Sequence, residues 1–168
     1  MKGPLFYAKI LLFGEYGIIK DSKGLSIPYN FFRGALKIPQ SETEITKKSH
    51  SKLLSFADYL RTIDSKIVSF DWTSIEKDLY QKLFFDSSIP QGYGVGSSGA
   101  LVAAFYDRYA ADKITVLENL TTEKLQKLKV VFSTMESFFH GKSSGLDPLN
   151  SYLSLPLLIH SSEKIETT

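Results

Sequence analysis

Cysteine is missing altogether from the 168 residues. A disulfide framework, a thiolate zinc site and a cysteine nucleophile are therefore excluded. Long apolar runs are missing too. Nothing approaches the ~18 consecutive apolar residues of a membrane-spanning helix. Lys9 interrupts the first apolar run, and Gly14-Glu15 ends the second, Ile10 to Phe13, so neither reads as a secretory leader. A cytoplasmic location, away from membranes, is the expectation. Neither sign of charge dominates: 20 Lys+Arg stand against 18 Asp+Glu, a net charge of +2. That excess is too small to mark a nucleic-acid-binding surface. Internal repeats and low-complexity tracts are also lacking. Tryptophan occurs once, yet there are 12 Phe and 9 Tyr, and 43% of residues are apolar. A chain of this size hides roughly 70% of its unfolded surface, enough for one core without staples. Disorder is excluded as the main state.

Periodicity predicts an α+β chain with strands first and last. Residues 5–13 and 16–19 read as a hairpin-like pair around Gly14-Glu15, followed by a turn cluster over 20–24. Residues 25–38 read as extended, with Pro28 and Gly34 marking bends or an edge strand. The polar stretch 40–51 reads as a solvated loop. Glu42 and Glu44 interleave with Lys47 and Lys48 there, which argues against a basic patch. An amphipathic helix follows Ser51, carrying Leu53, Leu54, Ala57, Leu60 and Ile63. Residues 66–72 read as a strand. Thr73 or Ser74 reads as the cap of a short helix with Ile75, Leu79 and Leu83. A helix is predicted over 99–111 and another from Thr121, ending at His140-Gly141 with a glycine cap. Residues 142–150 read as a loop, and 151–160 as an apolar segment broken by Pro156. His140 and His160 each stand alone and read as capping or surface residues, and His50 reads as part of the polar loop. Trp72 reads as core.

The chemistry concentrates at Pro90-Gln91-Gly92-Tyr93-Gly94-Val95-Gly96-Ser97-Ser98-Gly99-Ala100. Alternating glycines leave backbone N–H groups unobstructed and permit positive φ. Ser97 and Ser98 stand where a cap belongs, before an apolar helix. Free N–H groups and the helix dipole there attract an anion. The plain alternative is a flexible turn with a serine cap. A Walker A loop is excluded, because no Lys lies between Pro90 and Ala104. Gly94 to Gly99 also spells G-x-G-x-x-G. A dinucleotide fold needs an apolar strand running into the first glycine, and Pro90 and Gly92 spoil one here.

This loop resembles the phosphate-binding loop of the GHMP kinases. Two further stretches agree with that family in order and character. Tyr7-Ala8-Lys9-Ile10-Leu11-Leu12-Phe13-Gly14-Glu15-Tyr16 is similar to its N-terminal signature. Glu136-Ser137-Phe138-Phe139-His140-Gly141-Lys142-Ser143-Ser144-Gly145-Leu146-Asp147 is similar to the segment carrying its acidic residues. The spacing of Glu, His-Gly, Ser-Gly and Asp most resembles the mevalonate kinase branch.

The resemblance implies an α+β fold like domain 2 of ribosomal protein S5, a mixed sheet with helices on one face, spanning residues 1–168 as one ATP-binding domain. It implies phosphoryl transfer from Mg-ATP to a small-molecule hydroxyl, mevalonate being favoured. The phosphates would be held by Pro90, Gly92, Gly94, Val95, Gly96, Ser97, Ser98 and Gly99. Glu136 with Ser97 or Ser98 would bind Mg²⁺, which takes one or two protein oxygens beside phosphates and water. Asp147 would accept the hydroxyl proton as general base. Lys9, a cation inside an apolar run, would sit near Asp147 and assist it. The alternative for Lys9 is an outward-facing strand residue, for Glu136 a solvated helix charge, and for Asp147 a turn former before Pro148. Glu15 is implied to support the site by hydrogen bonding. Tyr16 stands where many of that branch carry His, and Gly99 replaces the usual Ala after the serine pair.

The family has a C-terminal domain with another glycine-rich motif. The last glycine here is Gly145, so that motif is absent. The resemblance therefore implies a chain that lacks its second domain, is inactive alone and self-associates through an exposed apolar face. Other GHMP kinases, acting on phosphomevalonate, homoserine or sugars, stay open as alternatives. So does a non-catalytic interaction domain that keeps the fold.

Overall fold

Strand Gly24–Lys37 runs 14 residues and holds the sheet together by pairing with three others. In this computed structural model, residues 4–14, 23–116, 119–161 and 164–168 are described. In chain order the elements are β1 (Phe6–Phe13), β2 (Gly24–Lys37), α1 (Glu44–Leu60), α2 (Trp72–Tyr80) and β3 (Phe84–Ser87). Then come α3 (Ser97–Tyr109), α4 (Thr122–His140), α5 (Leu146–Leu153), β4 (Leu157–Ile159) and β5 (Ile165–Thr167). β1 pairs along β2, β4 pairs with its start, β3 with its end, and β5 extends β4. The fold is α+β with helices on one face of the sheet. All the described pairings are antiparallel, where the resemblance implied a mixed sheet.

Proline and glycine in β2 have separate explanations. Pro28 pairs with Lys9 of β1 in a stretch that β3 and β4 do not reach, so its missing N–H leaves no ladder bond unmade. Gly34 is not at an edge: it lies between Phe6 of β1 and Ser87 of β3. Instead, the Phe85 ring occupies the space a Cβ at Gly34 would need, 2.2 Å from its Cζ.

Several expectations are corrected. α1 starts at Glu44 and not after Ser51, because Thr43 and Thr46 form a reciprocal capping box. The stretch 66–72 holds no strand. Only Phe70 bridges to Ala110, and Asp71 caps α2 by accepting from Ser74 N, the role expected of Thr73 or Ser74. The loop reading of 142–150 gives way to α5 from Leu146, since Pro148 is tolerated in a first helical turn. β3 and β5 had no expectation, and α2 ends at Tyr80, short of the Leu83 expected on it. The proposed strand 16–19 lies outside the described residues. Thr121 caps α4 and Gly141 ends it with φ +70°, as expected.

α3 is the buried centre. Gly99 to Tyr106 are all buried, because α3 packs between the sheet and helices α4 and α5. Phe56 of α1, Phe105 and Tyr109 of α3, and Phe138 and Phe139 of α4 join in one aromatic chain. Such ring pairs add roughly 0.5–1.5 kcal/mol each beyond area burial. They fix α1 and α4 around the second half of α3. No described helix is long and apolar enough to cross a membrane.

Candidate active site

The start of α3 carries no side-chain cap. Gly96, not a serine, is its N-cap, with φ +84°. This corrects the expected capping role: Ser97 and Ser98 are the first two helical residues. Gly92 and Gly94 also have positive φ, and a Cβ at either would meet nothing within 4 Å. The loop thus stands open, and the first amides of α3 lack the side-chain acceptor that usually satisfies them.

β1 supplies the cation. Lys9 N donates to Val95 O at 3.0 Å, which ties the glycine loop to the strand. The β1–β2 register shifts between Tyr7 and Ala8, so simple alternation fails just before Lys9. The Lys9 stem lies against Gly96, where an added Cβ would be 3.1 Å from its Cγ. The ammonium reaches Asp147 Oδ1 at 3.0 Å, and the Lys9 side chain is only 12% exposed. Lys9 therefore faces inward.

Asp147 sits in the first turn of α5, where a carboxylate interacts favourably with the helix dipole. Two contacts hold α5 in place. Ser151 Oγ donates to Tyr7 O at 2.9 Å, two residues from Lys9. Gly99 of α3 meets the Asp147 backbone so closely that an ideal Cβ would stand 2.7 Å from Asp147 C and 2.8 Å from Pro148 N.

Glu136 is buried. Ser98 Oγ donates to its Oε1 at 2.9 Å, and Ser143 Oγ donates to Oε2. Burial pushes the Glu136 carboxyl above the ordinary carboxylate value. The charge of Asp147 pushes the same way, against the two serine hydrogen bonds. His140 Nε2 lies 3.0 Å from Ser98 Oγ. A serine hydroxyl has one proton, and here it goes to Glu136, so His140 must present Nε2–H to Ser98. This corrects the reading of His140 as a lone capping or surface residue. Its four-residue spacing from Glu136 was the available signal, since i and i+4 share a helix face.

Two cavities of about 380 Å³ each adjoin here. One is bounded by Gly92, Gly94, Val95, Gly96, His140 and Asp147. The other runs between α1 and β3, past Lys48, Phe84 and Ile89. Lys52, Gln91, Ser97 and Ser98 line both. Pro90 lines neither, and Gly99 is turned to Asp147 instead. Sequence reasoning missed Lys52, because only the packing of α1 brings it beside Ser97 and Ser98. Glu15 and Tyr16 lie outside the described residues. His160 pairs with Glu166, and Trp72 stacks under Arg61, away from the site.

The donor chemistry suits a hard cation. Among the described residues no three His, Asp or Glu cluster for a metal. Mg²⁺ needs no such cluster: one buried carboxylate and a neighbouring hydroxyl, as in Glu136 and Ser98, fit its habit of keeping water and phosphate ligands.

A family model described as the GHMP kinases N terminal domain matches residues 60–154, more than half of the chain. No curated protein matches it. The fold is similar to that of the Methanococcus jannaschii mevalonate kinase, with a TM-score of 0.54 and 16% identity over 98% of this chain and 55% of that one. A second mevalonate kinase structure gives a TM-score of 0.54 and 18% identity, again over 98% and 55%. The chain thus spans about half the length of these solved relatives, and at such identities the likeness is one of fold.

Proposed function

This chain belongs to the GHMP kinases, whose N-terminal domain it carries, and from that premise we propose that it binds Mg-ATP at the glycine loop and helps transfer the terminal phosphoryl group to a small-molecule hydroxyl. Mevalonate is the leading acceptor, supported by the motif spacing and by the fold of the mevalonate kinases. The observation that carries the reading is a convergence. An uncapped helix start, Asp147 of the Lys9–Asp147 pair and Ser98 of the buried Glu136–Ser98 pair all border one cavity.

The geometry supports the following roles. The amides of Ser97, Ser98 and Gly99 orient phosphate oxygens. Asp147 takes the proton from the acceptor hydroxyl as its oxygen bonds to phosphorus and the bond to the departing ADP oxygen breaks. Lys9 steadies the developing alkoxide and fixes the Asp147 carboxylate. Glu136 and Ser98 would hold Mg²⁺, which when bound would neutralise phosphate charge. A second domain completes the cleft, which accords with the half-length match and with the need for a closed site.

The test is a titration of the 168-residue chain with Mg-ATP, followed by nitrogen–proton shifts. Amides of 92–99 should move first. Silence both in this chain and in one joined to a second domain would overturn the reading. Nucleotide binding without acceptor-dependent ADP release by the completed enzyme would favour the interaction-domain alternative.

A further inference from the structure

The glycine loop is electrically incomplete. No Lys or Arg occurs from Pro90 to Asp107. The nearest strand cation, Lys9, is already paired with Asp147. Backbone amides can cradle a polyphosphate, but several negative charges in a partly enclosed cavity call for a full positive charge as well.

The folded chain brings one from elsewhere. Lys52 lies on α1, and it lines both cavities, with Ser97 and Ser98 beside it in each. Its ammonium stands 5.1 Å from the centroid of the Phe139 ring, beside His140. Among the described residues it has no carboxylate partner. The Phe139 face attracts the ammonium without neutralising its charge. Lys48, one turn earlier, lines only the cavity between α1 and β3. Asp86 in that cavity is paired with Lys37, so it does not compete for Lys52.

We propose that Lys52 supplies, from a helix 40 residues before the loop, the cation that binds the nucleotide polyphosphate, the role a loop lysine plays in other phosphate-binding sites. This rests on the reading of the glycine loop as a nucleotide site. It assigns Lys52 as a binding residue that sets affinity through the phosphates and not through the base.

The test is calorimetry on the 168-residue chain with Mg-ATP and with adenosine, comparing Lys52→Met, Lys52→Arg and Lys48→Met. Methionine keeps an unbranched side chain of similar length and removes the charge. Lys52→Met should weaken Mg-ATP binding by about tenfold, the size of one lost charge-assisted contact. It should leave adenosine binding and the circular dichroism melt unchanged, and arginine should restore most of the loss. Unchanged Mg-ATP affinity, an equal loss for adenosine, or an equal loss in Lys48→Met would each overturn the proposal while the loop reading stood. No Mg-ATP binding by the unaltered chain, alone or with a second domain, would overturn the loop reading and this assignment together.

Discussion

Lys9 Nζ lies 3.0 Å from Asp147 Oδ1, and the two side chains are unequally covered, 12% and 36% exposed. Removing either partner is therefore not symmetrical. Asp147→Asn leaves an almost enclosed ammonium without its counter-charge, and about 1–2 kcal/mol of stability should go. Lys9→Met leaves a carboxylate that water and the start of α5 can still solvate, so less is lost. A double-mutant cycle by urea unfolding should give a coupling energy above about 0.5 kcal/mol. Additive losses would show that the pair is a surface contact only. In the completed enzyme, Asp147→Asn should lower turnover by about 10²–10⁴ while Mg-ATP binding persists.

Gly99→Ala tests why the chain departs from the usual Ala after its serine pair. Helix propensity alone favours alanine by roughly 1 kcal/mol. The close approach of Asp147 C, at 2.7 Å from an ideal Cβ, opposes it with backbone that cannot swing away. Overpacking of this kind costs about 1–3 kcal/mol, so the variant should be less stable. It should also push Asp147 away from Lys9, visible as a change at the Lys9 ammonium by NMR. A stabilised variant with an unmoved Lys9 would remove Gly99 from the set of positioning residues.

Much of this was legible in the sequence, and what was not has physical causes. Elements with a strong local signal, such as Thr121 before the α4 stripe and Gly141 after it, emerged where expected. Ser98 of the glycine loop meets Glu136 of the acidic segment. The start of α1 was hidden, since Glu44 to Ser51 is polar on most sides and its capping box uses Thr in place of the usual Glu or Gln. α5 was hidden because eight residues containing Pro148 look like a loop until Gly145 and the α3 contact define its start. Lys52 joins the site only through tertiary packing of α1, which no local pattern encodes.

Ser97 and Ser98 are neighbours with different surroundings. Only Ser98 reaches Glu136 and His140. Ser98→Ala should weaken Mg²⁺-dependent nucleotide binding by about tenfold, as expected for a lost hydrogen bond to a charged group. Ser97→Ala should change it far less, because its backbone amide stays. Titrations at several Mg²⁺ concentrations distinguish them, and equal effects would show that Ser98 holds no metal.

Leu12, Phe13 and Phe31 stand 55%, 51% and 75% exposed on β1 and β2. Apolar side chains of this size left in water favour association. Sedimentation velocity of the chain alone should show concentration-dependent self-association, reduced by Phe31→Ser or by a supplied second domain. A monomer at high concentration would count against an unpartnered apolar face.

Glu136→Gln gives opposite answers for stability and for function. The folded state raises the Glu136 carboxyl above its ordinary value of 4.5, chiefly by burial. An acid raised in this way binds its proton more tightly in the folded chain than in the unfolded one. Its burden on stability is absent below pH 4.5, grows as pH rises through the window up to the raised value, and is complete above it. Glutamine carries no charge, and its amide can still accept from Ser98 and donate toward Ser143. The variant should therefore match the parent near pH 4 and exceed it at pH 7 in urea unfolding. With saturating Mg-ATP the order should reverse, because the buried carboxylate then has the cation it was kept for and the glutamine does not. Parallel pH profiles for the two proteins would mean that Glu136 titrates alike folded and unfolded. A Mg-ATP gain shared equally by both would mean that the metal sits elsewhere.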